Sequence, residues 1–217
     1  MKQKRNGKYL AAACLLAAFV LWTMAVRTVD VQAIGPLGSS VGFAAVNRLI
    51  HDGTGVHMTL YTITDWLGLV PFVVAAGFAC LGLVQWIRRK KLRNVDFNIL
   101  VLGGFYLVVI AMYGFFETVV INYRPVLIEG ILEASYPSST TMLVMCVMPT
   151  ALMQFRARIK NRWFRKLVAG LICGFVAFMV LARLISGVHW MSDIIGGALL
   201  SAGLVMLYDA VCDFEAG

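Results

Sequence analysis

The sequence predicts an all-α integral membrane protein, a single membrane domain over 1–217 with six transmembrane helices in one bundle. Three observations predict it. Of 217 residues, 60% are hydrophobic and only 14% charged, a balance outside the range of soluble globular domains. The apolar residues gather into runs near the roughly 20 residues needed to cross about 30 Å of hydrocarbon. These runs cover about 9–26, 65–87, 97–116, 138–155, 167–185 and 192–212. The basic residues fall between the runs in short clusters, so the net charge of +8 reflects topology rather than nucleic-acid binding, which needs Lys and Arg along a polar face.

The first run follows Lys2, Lys4, Arg5 and Lys8. Its length favours an uncleaved anchor over a signal peptide, although Val31-Gln32-Ala33 offers a weak cleavage site. Between the first two runs, residues 27–64 form an extracytoplasmic segment. Here Phe43, Val46 and Ile50 recur at helical spacing with Asn47, Arg48 and His51 between them, which suits either an interfacial amphipathic helix or a loop packed over the bundle. Thr64 before Asp65 reads as an N-cap opening the second run, with Trp66 at the interface and Pro71 placed to kink the early turns. Arg88, Arg89, Lys90, Lys91 and Arg93 follow that run. Arg156, Arg158, Lys160, Arg162, Arg165 and Lys166 follow the fourth. Only Arg27, Arg48, Arg124 and Arg183 of the 19 basic residues remain for the opposite side. By the positive-inside rule, both termini are then cytoplasmic in a bacterial-type cell membrane. Cys14, Cys80, Cys146, Cys173 and Cys212 lie inside apolar runs, without the paired spacing of a disulfide framework or a zinc site.

Given this topology, three polar segments converge on the extracytoplasmic side: Glu117 to Glu133, Tyr136 to Thr141, and Arg183 to Asp193. The last reads R-L-I-S-G-V-H-W-M-S-D, and ionisable side chains so close to a bilayer are functional candidates by default. His189 and Asp193 are four apart, so on a helix they would share a face and the carboxylate could hold the imidazole in one tautomer. Arg124 alone could merely snorkel to a lipid headgroup. Together with Arg183 it makes two guanidinium forks suited to phosphate oxygens. Ser138, Ser139 and Thr140 open the fourth run, where capping and anion binding by free N–H groups are compatible. His51 and His57 lack such company and read as ordinary loop residues.

These segments resemble the type-2 phosphatidic acid phosphatase family, lipid phosphatases that share the acid phosphatase and vanadium haloperoxidase helical core. The family motifs run K-x6-R-P, P-S-G-H and S-R-x5-H-x3-D. Arg124-Pro125, Pro137-Ser138 and the spacing Arg183, His189, Asp193 match them in order, with Ala182 in place of the motif serine. Glu117 stands at the lysine position, Ser139 at the glycine and Thr140 at the histidine. The resemblance implies that His189 attacks phosphorus to give a phosphohistidine and that Asp193 orients it. Arg124 and Arg183 would hold equatorial oxygens, with Ser138 and the Ser139 N–H assisting. It implies a phosphorylated membrane lipid as partner, with undecaprenyl pyrophosphate, phosphatidic acid and phosphatidylglycerol phosphate as candidates, and no cofactor or metal. The absent histidine would have protonated the leaving alkoxide. Glu117 and Thr140 therefore keep open a non-catalytic protein that binds or transports lipid phosphates on the same scaffold, or an engineered inactive variant.

Overall fold

A computed structural model describes residues 2–213 of the chain. Eight α-helices account for most of them: α1 (Lys2–Thr28), α2 (Ala44–Thr54), α3 (Met58–Leu67), α4 (Leu69–Arg89), α5 (Phe97–Thr118), α6 (Ser139–Arg158), α7 (Arg162–Ile185) and α8 (Met191–Cys212). Among the described residues there is no strand, only isolated antiparallel bridges in the connections.

Among the described residues, five stretches are long and apolar enough to cross a membrane: Arg5–Thr28, Met58–Arg89, Phe97–Thr118, Arg162–Ile185 and Met191–Cys212. The expectation of six is not confirmed at the fourth run. That run does fold as a long helix, α6, but it is not among the five. The reason is its position: about half of α6 is buried against other helices, so it carries polar side chains that a lipid-facing helix would expose. Thr150 donates to the Cys146 and Val147 carbonyls, and Gln154 to the Tyr208 hydroxyl on α8. Both side chains are thus satisfied inside the protein, as a membrane interior requires.

The second run also differs from its reading. The helix begins at Met58, seven residues before Asp65, and Thr64 is no cap: its hydroxyl donates back to the Leu60 and Tyr61 carbonyls inside α3. The break falls at Gly68, three residues before Pro71, whose ring and missing N–H disturb the preceding turn.

Between α1 and α3, residues 44–54 do form a helix, with an unexpected orientation. Asn47 is buried whereas Val46 and Leu49 are exposed. Asn47 turns inward because its amide donates to Ser192 Oγ at 2.9 Å while its carbonyl oxygen accepts the Ser192 N–H at 3.1 Å, which ties α2 to the start of α8.

α1 runs antiparallel to α8. Lys8 pairs with Asp209 at 3.0 Å at one end, and Trp22 Nε1 donates to the Ser192 carbonyl at 3.0 Å at the other. Gly203 allows this approach, since a Cβ there would meet Leu16 at 2.8 Å. Phe19, Val26, Val109, Tyr136, Met142, Leu200 and Leu204 form the adjacent core, from α1, α5, α6, α8 and the segment before α6. The C-terminal ends of α5 and α7 and the N-terminal ends of α6 and α8 meet at one end of the bundle, and the two large basic clusters lie at the other.

The α7–α8 connection is clamped where it crosses the α2–α3 connection. Gly187 has φ +69°, and a Cβ there would lie 2.1 Å from the Gly55 carbonyl oxygen. Gly187→Ala is expected to destabilise the protein by about 2–4 kcal/mol, from left-handed backbone strain plus a backbone clash. Thermal unfolding of the purified variant in detergent checks this, and an unchanged midpoint would refute it.

Candidate active site

His189 lies in the short connection before α8 and is almost fully buried. It therefore does not share a helix face with Asp193. Asp193 is the third residue of α8 and caps its N-terminus, accepting the Trp190 N–H at 3.0 Å. The two side chains are joined through Ser135, whose hydroxyl lies 3.0 Å from His189 Nδ1 and donates to Asp193 Oδ2 at 2.5 Å. Asn122 Nδ2 donates to the other carboxylate oxygen at 3.1 Å.

Ser135 and Asn122 reach this point because residues 121–135 fold into a hairpin. Tyr123 bridges Ala134, Ile128 bridges Ile131, and the tip is Glu129–Gly130, with φ of 50° and 81°. Positive φ at both central residues is what a tight hairpin turn demands. Trp190 Nε1 donates to the Tyr123 carbonyl at 2.8 Å, fastening the hairpin to the start of α8.

Arg183, in the last turn of α7, is 1% exposed. Its Nη1 lies 3.3 Å from Thr64 Oγ1 and its Nη2 lies 3.3 Å from His189 Nε2. Arg124 comes from the hairpin and is also buried. The Tyr61 ring on α3 receives both guanidinium groups, Arg183 at 5.0 Å and Arg124 at 5.9 Å from its centroid. Each such contact contributes about 0.5–1 kcal/mol at an exposed site and more when dry, which helps two like charges sit together. Arg124 Nε is 3.0 Å from Glu133 Oε2, but the angle is not that of a hydrogen bond. Arg124 Nε and Nη1 and Arg183 Nε are consequently buried without a hydrogen bond, although Arg124 Nε is ion-paired with Glu133. Buried donors left unmade are costly, and Arg124 Nη1 and Arg183 Nε on adjacent guanidinium groups point to an anion.

These groups line a polar cleft of about 530 Å³ with Tyr61, Asp65, Tyr113, Glu117, Tyr123, Glu133, Ser139 and Thr140. Asp65, Tyr113, Ser139 and Thr140 also border a second, mainly apolar groove of about 520 Å³ that runs along Leu69, Phe72, Val109, Ile110, Met142 and Leu143. A polar head and an apolar tail thus have adjoining places. Ser138 is not part of the cleft wall: it is buried and caps α6, accepting the Thr141 N–H. Glu117 lines the cleft, yet the carboxylate paired with Arg124 is Glu133. Among the described residues no three His, Cys, Asp or Glu side chains gather as a metal set.

The imidazole of His189 is held well below its ordinary value of 6.5, first by burial and then by the Arg124 and Arg183 charges. It is neutral at neutral pH, as a nitrogen nucleophile must be.

The sequence brought His189, Asp193, Arg183 and Arg124 forward, and the structure gathers them. It missed Ser135, Asn122, Tyr61 and Glu133. Tyr61 and Asp65 are four apart on one helix, and Ser135 directly precedes Tyr136-Pro137-Ser138, so position relative to the motifs was the available signal.

Residues 115–211 match the model of the PAP2 superfamily. The resemblance read from the three motifs stands. A solved structure described as the first transmembrane PAP2-type phosphatidylglycerolphosphate phosphatase from Bacillus subtilis shares the fold, with a TM-score of 0.61 and 18% identity. The similarity covers 93% of this chain and 96% of that one. Among curated proteins nothing matches the chain.

Proposed function

We propose that this PAP2-like protein is a membrane lipid phosphatase that hydrolyses a phosphate or pyrophosphate ester through a phosphohistidine on His189. The observation that carries this reading is the set of buried Arg124 and Arg183 guanidinium nitrogens that make no hydrogen bond, in a cleft beside a buried neutral histidine and open to an apolar groove. Arg183 and Arg124 grip the non-bridging oxygens, and the phosphoryl group takes over the Arg183 Nη2 contact that covers Nε2 in the free protein. Nε2 then forms the bond to phosphorus as the bond to the lipid oxygen breaks, and the departing lipid oxygen takes a proton from water. Water next cleaves the N–P bond, giving inorganic phosphate and free His189. The two guanidinium groups and the α6 N-terminus supply the charge stabilisation of the transition state.

Phosphate release by the purified protein from vesicles containing a lipid monophosphate or a lipid pyrophosphate tests the proposal. Release abolished by loss of His189 supports it. Lipid-phosphate binding that needs Arg183, without any release by the parent, would instead support a binding or transport protein.

The reacting end of the bundle lies away from the basic clusters, which supports an extracytoplasmic site and cytoplasmic termini. Ile131, exposed near the hairpin tip, is a suitable reporter. In intact cells Ile131→Cys is expected to react with a membrane-impermeant maleimide, and labelling only after cell lysis would invert the orientation.

A further inference from the structure

Donor and acceptor types order the hydrogens between Asp193 and Arg183. A guanidinium only donates, so His189 Nε2, 3.3 Å from Arg183 Nη2, must accept. The ring proton then sits on Nδ1, where Ser135 offers its Oγ at 3.0 Å and its backbone as acceptors. Ser135 accepts it and gives its own proton to Asp193 Oδ2 at 2.5 Å. The reverse order would set two donors face to face at Nε2. Asp193 has no room to take the imidazole directly: Oδ1 accepts from Asn122 at 3.1 Å and Ser192 Oγ at 3.4 Å, and Oδ2 from Trp190 N–H at 3.0 Å as well as Ser135. Ser135 itself is 2% exposed, and its backbone N–H is fixed on the Asn122 carbonyl at 2.9 Å.

We propose that Ser135 is a positioning residue: its hydroxyl relays the Asp193 carboxylate to His189 and fixes the Nδ1–H tautomer, leaving the Nε2 lone pair for phosphorus. As Nε2 becomes bonded to phosphorus and the ring turns cationic, the Nδ1–H bond to Ser135 and the Ser135 bond to Asp193 both tighten. No proton has to leave the ring. The kinetic part of this inference rests on the phosphatase reading above; the tautomer does not.

The test uses full-length protein with ¹⁵N-labelled histidine, in which the His189 signals are assigned against His51 and His57 by their loss in His189→Gln. The unliganded parent is expected to show a protonated Nδ1 and a bare Nε2. Ser135→Ala is expected to shift the ring toward the other tautomer or a mixture, and to lower kcat by about 10- to 100-fold with KM nearly unchanged, the loss expected on removing an outer partner that orients a reactive imidazole. Ser135→Thr, which restores a hydroxyl, is expected to recover both signals. A parent ring protonated on Nε2, or a Ser135→Ala protein with unaltered tautomer and kcat, would overturn the relay. Should the parent release no phosphate from any lipid, the enzymatic reading fails and the nitrogen spectra alone decide the role of Ser135.

Discussion

His189→Gln is expected to lower phosphate release by about 10⁴-fold or more, the scale of removing a nucleophile whose partners cannot replace it. Glutamine approximates the shape of imidazole, and the surrounding contacts of Ser135 and Arg183 keep hydrogen-bonding groups within reach, so the fold and lipid-phosphate binding are expected to persist. Loss of turnover with retained binding is therefore the outcome to measure; substantial release by the variant would remove the phosphohistidine from the mechanism. The same residue sets a pH dependence. Because the folded-state value lies well below 6.5, the reactive neutral form is present at and above that pH and is lost only as pH falls through the lower value. The acid limb of kcat/KM is expected below pH 6.5, and replacing Arg124 with Gln, which removes one of the depressing charges, should move it upward. Stability follows the same sign: the unfolded chain takes up this proton near pH 6.5 and the folded chain resists it, so His189 makes the protein less stable as pH drops below 6.5.

Thr140→His is expected to raise kcat/KM for a lipid monophosphate by about 10²- to 10⁴-fold, the usual contribution of a placed general acid. Thr140 borders both the polar cleft and the apolar groove, where the bond between phosphorus and the lipid oxygen must lie if head and tail occupy the two spaces. Threonine has no proton to give near neutrality, so an alkoxide leaving group departs unaided in the parent. A pyrophosphate needs less help, since its leaving phosphate is already a weak base, and the variant is expected to gain little there. Comparing the two substrates on the parent and the variant decides the matter. Equal gains on both, or none on either, would mean that position 140 does not face the leaving group. A strong parental preference for the pyrophosphate would follow from the same chemistry.

The helices were legible wherever an apolar run had to face lipid, and so were the basic clusters that flank them. α6 was legible as a helix but not as an interior one, because Gln154, which lowers its hydropathy, is satisfied by Tyr208, a partner distant in sequence, while Thr150 donates back to its own helix. The start of α3 was misplaced for a related reason: Thr64 is a capping residue by type, and only the fold shows its hydroxyl turned back on its own helix and facing Arg183. Asn47 reads as part of a polar surface and is instead buried on Ser192.

Sequence by itself determined the membrane-spanning helical class, the separation of charge along the chain, and the residues Arg124, Arg183, His189 and Asp193, because hydrophobic length, charge clustering and motif spacing are local properties. Tertiary structure alone decided how those residues work together. The hairpin carries Ser135 and Asn122 to Asp193, and α3 carries Tyr61 between two arginines. Such links depend on which donors lie within about 3 Å of which acceptors after packing, and no spacing along one strand of sequence records that.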